Sequence, residues 1–156
     1  MREETVQEAR ERILENRLEG SKCPVCGSFV RVYARQISGK MGADLIALHN
    51  SGPGVRHYSD FIDGHPGDFA KLRYWGLIRG VENDDPTKRD SGSWELTGAG
   101  NSFIHNRLMI PRRLYVFRGT SLGPEDERDE VSIVDVLGVK FNYAELMKQP
   151  RIRTLF

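Results

Sequence analysis

Lys71-Leu72-Arg73-Tyr74-Trp75-Gly76-Leu77-Ile78 and, after a polar loop, Gly92-Ser93-Trp94-Glu95-Leu96-Thr97-Gly98-Ala99-Gly100-Asn101-Ser102-Phe103 are the stretches whose reading decides the fold. The first joins a helix end to a strand start: Gly76 lets the chain turn sharply, and Leu77 and Ile78 open a strand against the core. The second closes a returning strand at Leu96 and caps a new helix at Thr97, whose hydroxyl suits the free N–H groups of a first turn. Between them, residues 82–92 hold Asp84-Asp85-Pro86 and Lys88-Arg89, so the two stretches predict a β-hairpin with a long polar tip.

Upstream of this hairpin, Pro66 suits the first position of a helix, and Asp68 lies in that helix's positive first turn. Phe69, Leu72 and Arg73 share a face until Gly76 ends it. Ser59 is placed to cap a short turn burying Phe61 and Ile62, and Ser38 to cap a helix over 39–49 with Met41, Leu45 and Leu48 on one face. Downstream, a helix over 98–106 turns Phe103 and Ile104 inward. The N-terminal part reads as an amphipathic helix over 3–19 with Val6, Ile13, Leu14 and Leu18 as its apolar stripe. Gly20 stops that helix, the knuckle Cys23-Pro24-Val25-Cys26-Gly27 follows, and residues 29–33 form a strand. The tail predicts strands over 113–118 and 131–134, separated by a turn over 119–124 and the acidic run 125–130, then a last helical turn or two that Asn142 or Tyr143 opens and that runs to Lys148. The chain is thus α+β, divided into an N-terminal helix and knuckle (1–37), a three-helix and hairpin core (38–110), and a small β-rich appendage (111–156). The appendage has too few apolar residues for an independent core.

The order helix, helix, helix, strand, loop, strand, with the words quoted above, resembles the L-x-x-x-G-L-I and W-x-L-T-x-x-G-x-x-F signature of winged helix-turn-helix transcription regulators. From Cys23 to Met147 the chain also resembles a group of uncharacterised phage and prophage proteins that join a C-P-x-C-G knuckle to a winged helix and a short tail. The tail words here are Gly138-Val139-Lys140-Phe141 and Tyr143-Ala144-Glu145-Leu146-Met147. The first resemblance implies that the helix before the hairpin enters the major groove of double-stranded DNA. It makes Gly67, Lys71, Arg73 and Tyr74 groove candidates, and Lys88 and Arg89 wing contacts to phosphate. The second implies a mobile-element origin and no particular activity.

Net charge is +1, so the bulk balance announces no polyanion partner. Charge is uneven along the chain, however. Residues 21–57 carry five basic groups (Lys22, Arg31, Arg35, Lys40, Arg56) against one acidic, which reads as a solvated face, whereas residues 58–110 are net −2. Asp68 at the helix start and Asp84, Asp85 and Asp90 around Lys88 and Arg89 favour the rival expectation, a protein-binding module such as a phage-encoded inhibitor or adaptor of an enzyme. The longest apolar runs, 45–48 and 114–117, fall far short of the roughly 20 residues that cross a bilayer. Arg2, Glu3 and Glu4 lead into more charge rather than an apolar leader. A cytoplasmic protein without a membrane partner is expected.

Cys23 and Cys26 are the only cysteines, and the C-x-x-C spacing with Pro24 and Gly27 has the shape of a zinc knuckle. A structural Zn2+ site needs four ligands. His49, His57, His65 and His105 are the candidates within the chain, although Cys23, Cys26, His49 and His57 fall outside the usual spacing of two-Cys, two-His sites. The other route to four ligands is a homodimer in which two chains share one ion. Redox catalysis would need the pair at a helix start after a strand, and here a helix precedes and a strand follows. A structural knuckle, holding zinc or having lost it, is therefore the better reading. No H-E-x-x-H or phosphate-binding loop occurs, and His57 with Asp60, and Asp63 with His65, read as polar loop groups. The chain is not expected to be an enzyme.

Overall fold

The computed structural model describes residues 3–82, 87 and 91–148 as a mixed α+β arrangement. The helices are α1 (Val6–Glu15), α2 (Gly39–Asn50), α3 (Gly98–Ile104), α4 (Ile133–Leu137) and α5 (Tyr143–Lys148). The strands are β1 (Ser21–Lys22), β2 (Phe29–Val30), β3 (Tyr33–Gln36), β4 (Arg56–His57), β5 (Ile78–Gly80), β6 (Ser93–Leu96), β7 (Ile110–Pro111), β8 (Arg113–Phe117), β9 (Thr120–Pro124) and β10 (Glu130–Val131). Two 3-10 helices, Tyr58–Asp60 and Phe69–Trp75, stand between β4 and β5. Among the described residues four small antiparallel sheets are built, β1-β2, β7-β10, β3-β8-β9 and β4-β6-β5. No helix among the described residues is long and apolar enough to cross a membrane.

α2 is the centre of the molecule. Ser38 caps it as expected, its Oγ accepting the Met41 N–H at 3.3 Å. Its burial differs from the one-faced stripe expected, because every residue from Met41 to Leu48 is buried. A helix buried on all sides must be covered on all sides, and its one charged buried residue, Asp44, is paired with Lys40. Here α3, β6 and the Phe69–Trp75 helix pack against it, and so do α4 and α5 of the tail. The tail is tied in by polar contacts as well: Asn50 Nδ2 donates to the Leu146 carbonyl at 2.7 Å and the Tyr143 hydroxyl to the Ile104 carbonyl at 2.6 Å. Ile133 and Leu137 sit in the same core as Leu45 and Phe103.

The Phe69–Trp75 segment is a 3-10 helix rather than the α-helix predicted from Pro66. Gly67 has φ +60, which no right-handed helix admits, so the helix cannot begin at Pro66. Phe69 and Leu72 are buried and Trp75 is partly buried. A three-residue spacing stacks these side chains in line at the three residues per turn of a 3-10 helix. Gly76 then ends it at φ +73, as the sequence implies. β5 and β6 form the expected hairpin, with β4 added beside β6, and the residues of its tip apart from Thr87 and Ser91 lie largely outside those described. Thr97 caps α3, its Oγ1 accepting the Gly100 N–H at 3.0 Å and donating to the Gly76 carbonyl at 2.6 Å. Gly100 lies so close to the Leu77 carbonyl and the Leu96 side chain that a Cβ there would collide with both.

Other differences have local causes. α1 stops at Glu15 instead of running to Glu19, and of its stripe only Ile13, joined by Ala9, is buried. The strand expected over 29–33 is two strands, because β2 pairs with β1 whereas β3 pairs with β8. The turn expected over 119–124 shrinks to Arg118 and Gly119, both at positive φ, and Thr120–Pro124 runs back along β8 as β9. Positive φ at both central residues is the two-residue hairpin geometry that matches strand twist. The strand expected over 131–134 ends at Val131. There Ser132 and Asp135 form a reciprocal cap and begin α4. His57, not Ser59, caps the Tyr58–Asp60 turn, while Phe61 and Ile62 are buried as expected.

Candidate nucleic-acid interface and cysteine knuckle

Lys71, Arg73 and Tyr74 come together on the Phe69–Trp75 helix, where with His65, Gly67 and Trp94 they line one open cleft of about 400 Å3. Lys71 Nζ is 2.7 Å from Asp68 Oδ1. That hydrogen bond holds the Asp68 carboxyl below the ordinary carboxylate range, helped by the fields of Lys71, Arg35 and Lys40. The Arg73 guanidinium lies over the Tyr74 ring at 5.1 Å from its centroid, an arrangement that fixes a planar cation at the cleft rim. Lys88 and Arg89 lie outside the described residues.

Arg35 and Lys40 belong, in the sequence, to a stretch with the pattern of a solvated basic face. β3 pairs with β8, and β8 and β9 touch the Phe69–Trp75 helix, so Arg35 reaches the same neighbourhood as Lys71 from a distant part of the chain. Lys40, on the first turn of α2, is paired with Asp44 at 2.7 Å. Tyr33 is half-exposed on β3 with Arg31 and Arg35 over its ring at 6.0 and 5.4 Å. The uneven charge of residues 21–57 is the signal the sequence offers for these cations; the pairing that aims them is not visible there.

Cys23 and Cys26 occupy the turn joining β1 to β2. The Cys23 N–H donates to the Ser28 carbonyl at 2.7 Å, and the Gly27 N–H to the Cys23 carbonyl at 2.9 Å, with Gly27 at φ +73. Both thiols are free, Cys23 half-buried and Cys26 exposed. Hydrogen bonds from Ser28, side chain first and then backbone, and from Cys23 pull the Cys26 thiol below its ordinary range, which favours the thiolate that metals bind. None of the histidines joins them: among the described residues no group of three or more His, Cys, Asp or Glu gathers. A single chain therefore presents two sulfurs, half of a tetrahedral shell.

The histidines are engaged elsewhere. His57 Nδ1 accepts the Ser59 N–H at 3.2 Å and His65 Nδ1 the Gly67 N–H at 2.9 Å. His105 donates from Nδ1 to the Asn101 carbonyl at 2.8 Å and packs edge-on against His49, ring centroids 5.0 Å apart. Trp94 is core, stacked edge-on with Phe69, and Trp75 is partly buried with its indole N–H donating to the Pro111 carbonyl at 2.7 Å. No family model, no curated protein and no solved structure matches the chain.

Proposed function

We propose that residues 38–110 form a winged helix-turn-helix and that the chain is a small regulatory protein of the phage type that binds double-stranded DNA. The Phe69–Trp75 helix would lie at the groove, and Lys88 and Arg89 would lie on the wing. The observation that carries the reading is the open cleft on the Phe69–Trp75 helix lined by Lys71, Arg73 and Tyr74, with the fields of Arg35 and Lys40 reaching Asp68 from two other elements. Cations gathered from distant parts of a chain onto one face are the footprint a phosphate backbone requires. The order α2, short helices, β5, loop, β6, with sheet order β4-β6-β5, supports the fold assignment. Asp68 then has a definite part. It holds Lys71 in place in the free protein and yields it to a phosphate oxygen on binding.

The test is binding to mixed-sequence duplex DNA across a salt series. Affinity is expected to fall steeply with salt. Arg35→Ala with Lys40→Ala should flatten the log–log slope by about 2, since each phosphate that a cation no longer neutralises removes about 0.9. Lys71→Ala should alter sequence preference, and Asp68→Asn should tighten binding by releasing Lys71. Absence of binding at low salt would overturn the proposal. It would also favour the second reading, a protein-interaction module, which rests on the exposed Val6, Leu14, Leu18 and Phe29 of the N-terminal unit.

A further inference from the structure

We infer that the Cys23 and Cys26 knuckle is half of a zinc site that a second copy of this chain completes, one ion being held by four sulfurs across a twofold axis. A structural zinc ion takes four ligands in a tetrahedron. The turn between β1 and β2 supplies two, already adjacent and on a backbone fixed by the Cys23 and Gly27 hydrogen bonds. The remaining two do not come from this chain's sulfur or imidazole groups. Its two cysteines and four histidines are all among the described residues, and the histidines make local bonds away from the knuckle. A twofold axis through the ion brings an identical pair of sulfurs, and an isologous contact of this kind closes at two chains.

The surroundings fit that occupant. Val25 stands at the tip of the knuckle 87% exposed, and Val6 beside it is 69% exposed. Both border a mostly apolar cleft of about 310 Å3 whose lining includes Ala9, Ile13 and Pro24. In a twofold contact this apolar rim meets its own copy and both are covered. Charge fits as well. Four thiols give up four protons to solvent as they bind Zn2+, which leaves the centre with two net negative charges. Arg10 and Arg118 line the cleft with Cys23, and Arg12 is paired with Glu4 at 2.8 Å, so each chain brings two cations beyond that pair to the charge.

The full chain is prepared with zinc and again after exhaustive chelation, and zinc content and sedimentation-equilibrium mass are read on the same samples. One zinc per two chains in a dimer, dissociating to monomer on chelation with the far-ultraviolet spectrum kept, is the expected result. One zinc per monomer, a dimer indifferent to chelation, or a chain that takes up no zinc overturns the inference. Cys26→Ser should lose both zinc and dimer without losing helical signal. As a check that needs no variant, cobalt(II) in place of zinc should show sulfur-to-metal charge-transfer absorption of the strength of four thiolates. Half that strength per ion overturns the shared site. Neither readout depends on DNA binding.

Discussion

Among the described residues, twenty buried apolar side chains interlock around α2, from Ile37 through Phe103 to Leu137, whereas three, Ile13, Val32 and Phe117, make up the separate cluster beneath the N-terminal unit. The central region covers its helix from every side and leaves little for a partner to add. The N-terminal unit hangs α1 and the β1-β2 knuckle on the β3-β8-β9 sheet through a thin contact, and Val6, Leu14, Leu18, Val25 and Phe29 stay exposed. Apolar burial stabilises by about 25 cal/mol per Å2, so the two regions differ in stability in proportion to what each hides. Units this small rely on metals, disulfides or association when their own core is thin. The contrast therefore places the exposed apolar surface at the N-terminal unit and the rigid core at the centre.

The largest effect should come from the central core. Phe103 is fully buried, and Phe103→Ala should cost about 3–5 kcal/mol of global stability by denaturant unfolding. Ile13→Ala in the smaller cluster should cost about 2 kcal/mol, the low end for such a truncation. That loss should be confined to the N-terminal unit, raising hydrogen exchange in α1 and β1-β2 while the α2 amides stay protected. Equal loss of α2 protection in both variants would break the comparison.

Gly100→Ala sharpens it. A methyl there meets the Leu77 carbonyl and Leu96, which forces α3 off the hairpin, and overpacking of this kind costs about 1–3 kcal/mol. Gly98, two residues away on the same helix, has open space around its Cβ position. Gly98→Ala should be neutral or slightly stabilising, so a matched rise in both denaturation midpoints would mean that helix propensity and not close approach governs the site.

What can be read in the sequence is local. Gly76, Leu77, Leu96 and Thr97 each act within a few residues of themselves, and each stands where its chemistry puts it. The Lys71, Arg73 and Tyr74 cluster is legible for the same reason, since one short helix carries all three. The later start of the Phe69–Trp75 helix is hidden because the sequence does not fix the φ of Gly67, whose positive value keeps a helix from beginning at Pro66. β9 and α4 differ from expectation because their states depend on partners, β8 for the one and α2 for the other. Arg118 at φ +51 gives no signal that it turns a hairpin. Arg35 joins the site through the β3-β8 pairing, a contact between strands some eighty residues apart, and Lys40 through the packing of α2 on the Phe69–Trp75 helix, and no local pattern announces either.

The smallest effect concerns the hydroxyl that joins these local features. Thr97 Oγ1 accepts the Gly100 N–H that begins α3 and donates to the Gly76 carbonyl that ends the Phe69–Trp75 helix. Losing an N-cap costs about 1 kcal/mol, with a range of about 0.5–2. Thr97→Ala should show that loss in unfolding, and Thr97→Ser, which keeps both bonds, should restore most of it. The second bond makes the variant informative beyond stability, because it pins the C-terminal end of the helix carrying Lys71 and Arg73 to the hairpin. DNA affinity should therefore fall in Thr97→Ala with the fold intact and return in Thr97→Ser. A stability loss with unchanged affinity would mean that the helix keeps its aim without this link, and that the cap serves the central core alone.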